Sequence, residues 1–270
     1  MLVIKIGGSK EIDYESFLED LGNYEDWILL HGGSHELDRI SEELGHPPRF
    51  VESVSGYTSR YTDEQTVELI NMVYPGKMNK FIVEKLQKLG VNAFGLSGID
   101  GRVLECKRKS NLKIKKDGKK VVLRGEHSGI IKKVHTEPIE LLLEAGYHPV
   151  LTIPAITFEG TAVNVDGDRA AAEVASAFSA DKLLLLSDVP GLLKDVHDKA
   201  SLVNEIDYDD LERYTDKYAK GRMKKKLLGA GEAIDAGVNS VILGDGTLDK
   251  PVTKALSGAG TSISGIGDPK

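Results

Sequence analysis

Short apolar runs alternate with longer amphipathic stretches along most of this chain of 270 residues. Parallel strands are buried on both faces and are joined by crossover helices, so this rhythm is typical of a parallel sheet covered by helices. We therefore predict an α/β fold, a three-layer αβα sandwich around a mainly parallel sheet. The predicted strands are Leu2–Ile6, Trp27–Leu30, Ala93–Leu96, His148–Leu151, Lys182–Leu186 and Ser240–Leu243, and the predicted helices are Ser34–Leu44, Asp63–Leu89 with a break at Pro75-Gly76, Thr136–Ala145, Asp168–Ser179 and Ala219–Ala236.

The length of the chain is sufficient for one large core or two modest ones. A second, shorter series of strands and helices begins near Gly167. We therefore predict two lobes, residues 1–167 and residues 168–270.

The composition is that of an ordinary globular protein, with 40% hydrophobic and 29% charged residues. No apolar run approaches the roughly 20 residues that a membrane span requires. Met1 leads directly into the first predicted strand, without the basic region and cleavage site of a signal peptide. These features predict a cytoplasmic protein that does not enter a membrane.

One segment, residues 107–124 (KRKSNLKIKKDGKKVVLR), departs from the rhythm of the rest. Its polar and apolar residues alternate on both sides of Asp117-Gly118, a strong signal for a two-residue hairpin turn. Nine Lys and Arg side chains against Asp117 give the segment a net charge of +8. Because the whole chain has a net charge of −7, the remainder carries −15. We predict a protruding, strongly basic β-hairpin.

Two glycine-rich turns follow the first two predicted strands. They are Lys5–Ser9 (KIGGS) and Leu30–Ser34 (LHGGS), and glycines at a strand end allow main-chain N–H groups to approach an anion. Neither turn matches a P-loop or a Rossmann fingerprint. For KIGGS taken alone, a plain glycine turn beside a solvated lysine is the alternative. We predict that His31 anchors its loop by a hydrogen bond.

Three further motifs follow these turns along the chain. The motifs are Leu96–Gly101 (LSGIDG), Asn164–Asp168 (NVDGD) and Gly221–Lys226 (GRMKKK). Together with the two turns they resemble the acetylglutamate kinase family of the amino acid kinase superfamily, along nearly the whole chain. The segment Gly56–Glu64 (GYTSRYTDE) and the basic hairpin are most similar to the branch that phosphorylates 2-aminoadipate or glutamate linked to an amino-group carrier protein.

This resemblance implies transfer of a phosphoryl group from ATP to a carboxylate, which gives an acyl phosphate. Lys5 and Lys226 match the two catalytic lysines of the family, and Asp168 matches the acid that holds them. Arg60 and Asn164 match acceptor-binding positions, as do the main-chain N–H groups of Gly32 and Gly33. Without the resemblance, the favoured interpretations are a helix cap for Asp168 and a turn residue for Asn164.

The resemblance also implies where ATP binds. Gly7 and Gly8 are expected to approach the phosphates, and the loop containing Ser187, Asp188 and Gly191 is expected to contact the nucleotide from the second lobe. Lys224 and Lys225 are predicted to form a solvated helix face. Mg²⁺ is expected to be held by ATP and water, so no residue is assigned as a metal ligand.

The basic hairpin is the feature that bears on a partner. A solvated ribbon that guards a sheet edge is one alternative, and nucleic acid is disfavoured because no aromatic residues are interleaved with the lysines. An acidic carrier protein fits better. The side chains assigned to carrier binding are Lys109, Lys113, Lys115, Lys116, Lys119 and Lys120. A homodimer is expected, and the alternative activity is that of an N-acetylglutamate kinase acting on the free small molecule in arginine biosynthesis.

Overall fold

The computed structural model describes residues 1–54, 56, 58–116 and 119–265. Its strands are β1 (Leu2–Ile6), β2 (Trp27–His31), β3 (Phe50–Glu52), β4 (Thr58–Arg60), β5 (Ala93–Gly98), β6 (Leu104–Lys116), β7 (Lys119–Val134), β8 (His148–Thr157), β9 (Ala162–Val163), β10 (Lys182–Ser187), β11 (Glu205–Asp207), β12 (Ser240–Asp245) and β13 (Thr261–Ser264). Its α-helices are α1 (Tyr14–Leu21), α2 (Ser34–Glu43), α3 (Glu64–Asn71), α4 (Asn79–Lys88), α5 (Glu137–Glu144), α6 (Gly167–Ala177), α7 (Leu211–Tyr218), α8 (Gly221–Asp235) and α9 (Pro251–Leu256).

Eleven strands of the described residues form one sheet in the order β11-β13-β12-β10-β1-β2-β8-β6-β7, with β5 and β9 also paired to β8. The strand β1 lies inside the sheet and pairs in parallel with β10 and β2. Parallel pairing continues from β2 to β8 and from β10 to β12. The antiparallel pairs are β12 with β13, β6 with β7, and β8 with β9. The predicted α/β fold with a mainly parallel sheet is confirmed.

The two faces of the sheet have separate apolar cores. Alternate residues of a strand point to opposite faces, so Val3 of β1 belongs to one core, and Ile4 and Ile6 belong to the other. The core around Val3 includes buried residues of α3, α6 and α8, and the other includes those of α1, α4 and α9. By the same alternation, Lys5 points to the face that α6 and α8 cover.

The helix break predicted at Pro75-Gly76 is wrong. A π-helical segment, Met72–Met78, connects α3 to α4 and contains Pro75. Proline has no N–H group and clashes with the carbonyl of the preceding turn. A wider π turn accommodates both effects, so the helical path continues through the proline.

The basic hairpin is longer than predicted. β6 begins before residue 107, and β7 ends after residue 124. The turn at Asp117-Gly118 lies outside the described residues. The hairpin contacts the small antiparallel sheet formed by β3 and β4, since Ser53 forms a β-bridge with Ile114 and the Val54 N–H donates to the Lys113 carbonyl at 3.1 Å. It is therefore attached to the segment that leads to Arg60.

In the described part of the chain, no helix combines the length and the apolar character needed to cross a membrane.

A buried carboxylate links α1 to α9. Asp20 is 3% exposed, and one of its oxygens accepts hydrogen bonds from the N–H groups of Val252 at 2.7 Å and Thr253 at 2.9 Å. Its other oxygen accepts from the Thr253 hydroxyl at 2.5 Å. The residue that precedes α9, Lys250, provides no side-chain cap. Asp20 therefore satisfies helix N–H groups that would otherwise have no acceptor.

We expect Asp20→Ala to lower the free energy of unfolding by about 2 kcal/mol, because buried N–H groups lose a charged acceptor. Denaturant unfolding followed by circular dichroism measures this change. Glu19→Ala is the matched control, since Glu19 is exposed on the same helix. Equal unfolding midpoints for the two variants would contradict a stabilising role of Asp20.

Candidate active site

The two glycine-rich turns leave neighbouring parallel strands at the same edge of the sheet, and they touch. A Cβ atom on Gly8 would lie 2.2 Å from the main-chain nitrogen of Gly33, and one on Gly32 would lie 3.0 Å from that of Gly8. The Gly8 carbonyl also accepts from the His35 N–H at 2.9 Å. The main chains therefore approach more closely than any side chain at Gly8 would permit.

His31 anchors the second turn, as the sequence predicts. Its Nδ1 lies 2.8 Å from the Gly32 carbonyl, to which it donates, and its Nε2 accepts from the Asn79 side-chain amide at 3.1 Å. Burial lowers the pKa of His31 to about 4. The ring is therefore neutral at physiological pH and acts as a structural hydrogen-bonding group.

Lys5, Asp168 and Lys226 meet in one ion-paired centre. Lys5 Nζ lies 2.7 Å from Asp168 Oδ1, and Lys226 Nζ lies 2.9 Å from Asp168 Oδ2. Their side chains are 13%, 14% and 9% exposed in chain order, so little water screens the two ion pairs. One carboxylate thus holds two ammonium groups that come from β1 and α8.

The local structure of α6 leaves Asp168 free for this contact. Asp166 is the N-cap residue, and its side chain accepts from the N–H groups of Asp168 and Arg169, both at 3.1 Å. The alternative that Asp168 caps the helix is therefore wrong, because its neighbour does so. Asp168 lies in the first turn and points toward Lys5 and Lys226.

Asp168 and Lys226 affect each other's pKa. Burial opposes the charged form of Asp168, but the ammonium groups of Lys226 and Lys5 outweigh it and hold the pKa of Asp168 well below its usual range. Burial lowers the pKa of Lys226, while the charge of Asp168 opposes that change and the charge of Lys5 adds to it. Asp168 therefore helps to keep Lys226 protonated.

Arg60 and Asn164 are connected through Thr62. The Asn164 amide donates to Thr62 Oγ1 at 3.1 Å, and that hydroxyl donates to the Arg60 carbonyl at 3.4 Å. The Arg60 guanidinium forms an ion pair with Asp38 and lies over the Phe50 ring, 5.0 Å from its centroid. The carbonyl and N–H of Asn164 pair with β7, so its main chain is fixed there while Thr62 accepts from its side chain.

The end of β10 lies beside the first glycine turn. The Gly7 N–H donates to the Leu186 carbonyl at 2.9 Å, and a Cβ atom on Gly7 would lie 3.6 Å from Ser187 Cα. Farther along, Gly191 has a φ of +142°, and a Cβ atom there would lie 2.5 Å from the Thr261 hydroxyl. Asp188 is exposed between them. Gly7, Gly8 and Ser187 therefore lie together, at the edge where β1 and β10 end.

Sequence reasoning missed the partners that connect distant segments. Thr62 and Asp38 hold Asn164 and Arg60. Thr62 lies in the GYTSRYTDE segment but was given no role there, and Asp38 belongs to no recognisable motif. Lys225 was predicted to be solvated, yet its Nζ donates to the Thr58 carbonyl at 2.7 Å. This bond joins α8 to β4 across 167 positions of sequence, and nothing local in the sequence indicates it.

The lysines assigned to carrier binding differ in exposure. Lys113 and Lys120 are exposed, whereas Lys109 is partly buried at the base of the hairpin. The side chains of Lys115, Lys116 and Lys119 lie outside the described residues. The hairpin therefore has an exposed basic part and a base that faces the rest of the protein.

Among the described residues, no three His, Cys, Asp or Glu side chains are grouped so that they could hold a metal ion. Both oxygens of Asp168 already face ammonium groups. The centre therefore does not fit a protein cage for Mg²⁺.

Comparisons with known proteins show which family the chain belongs to. Residues 1–245 match the model of the amino acid kinase family. The chain is 56% identical to the LysW-aminoadipate kinase of Deinococcus radiodurans over 268 residues, which cover 98% of this chain and 91% of that protein. It is 45% identical to the LysW-aminoadipate kinase of Thermus thermophilus, with 97% and 100% covered. It is 38% identical to the acetylglutamate kinase of Methanopyrus kandleri, with 90% and 94% covered.

A solved structure shares the fold at low sequence identity. N-acetylglutamate synthase from Neisseria gonorrhoeae superimposes with a TM-score of 0.79 and 23% identity. The match covers 97% of this chain but 59% of that longer chain, so it concerns the fold alone. With the family match over residues 1–245 and the two LysW-aminoadipate kinases, the chain belongs to the amino acid kinase family.

Proposed function

We propose that the protein transfers the γ-phosphoryl group of ATP to the side-chain carboxylate of 2-aminoadipate linked to a small amino-group carrier protein, with carrier-linked glutamate as a second acceptor. The observation that carries this proposal is the ion-paired centre of Lys5, Asp168 and Lys226. The names of the LysW-aminoadipate kinases support the choice of acceptor.

The chemistry requires charge neutralisation more than proton transfer. A carboxylate with an ordinary pKa near 4.3 is already ionised at neutral pH, so it needs no general base. Its oxygen attacks the γ-phosphorus, the bond from that phosphorus to the β–γ bridging oxygen breaks, and ADP departs. The products are an acyl phosphate and ADP. Both reactants are anions, so the largest barrier is electrostatic.

We assign this charge neutralisation to Lys5 and Lys226. Each ammonium is held by Asp168 and is largely shielded from water, which strengthens its attraction for the transferred phosphoryl group. Lys5 is on the strand that ends in Gly7 and Gly8, and we assign the N–H groups of that turn to the phosphates. Asp168 is the residue that fixes the distance between the two cations.

ATP is the phosphoryl donor that membership of this kinase family implies. We assign the nucleotide to residues 168–270, with Ser187, Asp188 and Gly191 as its contacts, and the acceptor to residues 1–167. Mg²⁺ would supply charge neutralisation on the ATP phosphates when bound. We assign no protein ligand to it, in agreement with the pairing of both Asp168 oxygens.

We assign the acceptor to the side of the Lys5, Asp168 and Lys226 centre that is opposite the nucleotide. The N–H groups of Gly32 and Gly33 would donate to the reacting carboxylate, and Arg60 and Asn164 would hold its other polar groups. The arginine is prepared for this role by Asp38 and Phe50, which restrict its rotation. The homodimer and the cytoplasmic location remain predictions.

Free N-acetylglutamate is the second candidate acceptor, and the acetylglutamate kinase of Methanopyrus kandleri is a more distant relative than the two aminoadipate kinases. Trapping of the acyl phosphate with hydroxylamine distinguishes the candidates. Hydroxamate formed on an acidic carrier protein ending in 2-aminoadipate, and not on free N-acetylglutamate, would support the carrier-linked reaction. Efficient reaction with the free molecule alone would refute it.

We expect Lys5→Ala and Lys226→Ala each to lower kcat by about 10²- to 10³-fold, because each removes a preorganised cation from the transition state. The KM for ATP should change by only a few-fold. Lys224→Ala is the control, since Lys224 lies on the same helix and is partly exposed beside Asp216. Wild-type turnover in both variants would show that the two lysines do not act on the reaction.

We expect Asp168→Asn to move the alkaline decline of kcat to lower pH. The pKa of Lys226 is already lowered by burial, and Asp168 opposes that effect, so removal of the negative charge lowers the pKa of Lys226 further. The ammonium is then lost at a lower pH than in the wild type. A pH profile of kcat measures the shift, with Asp216→Asn as a control at an exposed position. An unchanged alkaline limb would contradict the coupling.

We expect Lys113→Glu combined with Lys120→Glu to raise the KM for the carrier-linked acceptor at low salt and to weaken its salt dependence. Exposed charges of the hairpin would steer an acidic partner, and added salt screens that attraction. Lys88→Glu combined with Lys182→Glu changes the net charge equally at exposed positions away from the hairpin. Equal effects of the two pairs would show that net charge, and not the hairpin, governs binding.

A further inference from the structure

Lys109 differs from the other lysines of the hairpin. It is partly buried, and its ammonium forms no ion pair within 4.0 Å with the residues that the structure describes. Burial lowers the pKa of Lys109, Arg169 and Lys225 lower it further, and Glu126 and Asp166 oppose them. The side chain is therefore partly shielded from solvent and lies among charged groups of β7, α6, α8 and the N-cap of α6.

The β-ladder places Lys109 beside the acceptor-binding residues. In the register of β6 and β7, Lys109 lies opposite Ser128. Ser128 forms a parallel β-bridge with Asn164, the residue whose amide contacts Thr62. Directly opposed residues share one face of a ladder. The ladder therefore places Lys109, Ser128 and Asn164 side by side, and Thr62 connects the Asn164 side chain to the main chain of Arg60.

A β-bulge holds this arrangement. After the pair of Lys109 and Ser128, the next pair is Asn111 with Arg124, so three residues of β7 oppose one residue of β6. Gly125, the first of the three, has a φ of +77°. Bulges commonly occur next to active sites, where they redirect a side chain. Here the redirected residue is Glu126, which is 1% exposed.

Glu126 is the acid that accompanies Lys109. Burial raises the pKa of Glu126, and Lys109 and Arg108 oppose this effect, as do the Ser128 hydroxyl and the Thr62 N–H. Within the described residues its Oε2 has no hydrogen-bond partner. Glu126 is therefore near Lys109 but forms no direct ion pair with it. Arg60, in contrast, is paired with Asp38.

A half-buried ammonium that lacks a close carboxylate costs free energy unless an anion occupies the position next to it. The carrier-linked acceptor has two carboxylates, because its nitrogen is in the amide link while both acid groups stay free. The side-chain carboxylate must lie near Lys5 and Lys226 to react. We propose that Lys109 binds the second, α-carboxylate of the acceptor, opposite Arg60, and is not one of the carrier-docking lysines. This inference rests on the proposed function.

Salt distinguishes a docking lysine from an acceptor-site lysine. The acceptor KM is measured for Lys109→Ala, Lys109→Arg and Lys107→Ala, at about 0.05 M and about 0.5 M salt, with whichever acceptor the wild type phosphorylates. Lys107 is the matched control, since it is exposed on the same strand. Lys113→Glu is the reference for the salt dependence expected when an exposed lysine acts at long range.

We expect Lys109→Ala to raise the acceptor KM about tenfold or more at both salt concentrations, as the loss of a charge-assisted hydrogen bond does. Its KM for ATP and its Tm should stay at the wild-type values, Lys109→Arg should recover most of the loss, and Lys107→Ala should have no effect. The effect of Lys113→Glu should fade at high salt.

Three results would overturn the inference. A Lys109→Ala effect that fades at high salt would make Lys109 a docking residue. An equal rise in the KM for ATP, or a lowered Tm, would make its role structural, and an unchanged acceptor KM would remove it from the site. If the wild type uses only free N-acetylglutamate, the carrier-linked function fails, but the role of Lys109 is still tested with that acceptor.

Discussion

The interaction on which the site depends is the carboxylate of Asp168 between two ammonium groups. Two lysines of like charge cannot be held close together in a poorly hydrated place without an acid between them. The acid also determines where they stand, because its two oxygens point in different directions. Since Lys5, Asp168 and Lys226 lie on β1, α6 and α8, this one contact requires that three elements pack correctly.

The sheet provides the geometry that the ion pairs then use. Lys5 points toward α6 and α8 because it alternates with Ile4 and Ile6, which are buried in the opposite core. Gly7 and Gly8 directly follow this strand, so the five residues of β1 determine both the position of a cation and the position of the first glycine-rich turn. A shift of one residue in the register of β1 would turn Lys5 to the wrong face.

The sequence predicted the buried elements better than the contacts between distant segments. The predicted strands beginning at Leu2, Trp27 and Lys182 start where the structure starts them, because a central parallel strand must be apolar throughout. Short helices such as α1 and α9, and short strands such as β9, have too few residues to show a clear periodicity of apolar side chains. The centre of Lys5, Asp168 and Lys226 was accessible from the motifs, but the contacts of Thr62 with Asn164 and of Asp38 with Arg60 were not. Their roles exist only after residues far apart in the sequence have been brought together.

The basic hairpin illustrates the limit of reading charge from sequence. All of its lysines contribute equally to a net charge, yet a cation acts differently according to the water around it. Exposed groups such as Lys113 act over a distance of about one Debye length, roughly 10 Å at 0.1 M salt, and are suited to steering a partner. Partly buried Lys109 lies in a poorly screened region beside Glu126, where an interaction is short-ranged and strong. In the roles proposed for them, the exposed part of the hairpin would attract an acidic carrier and its base would bind the acceptor group.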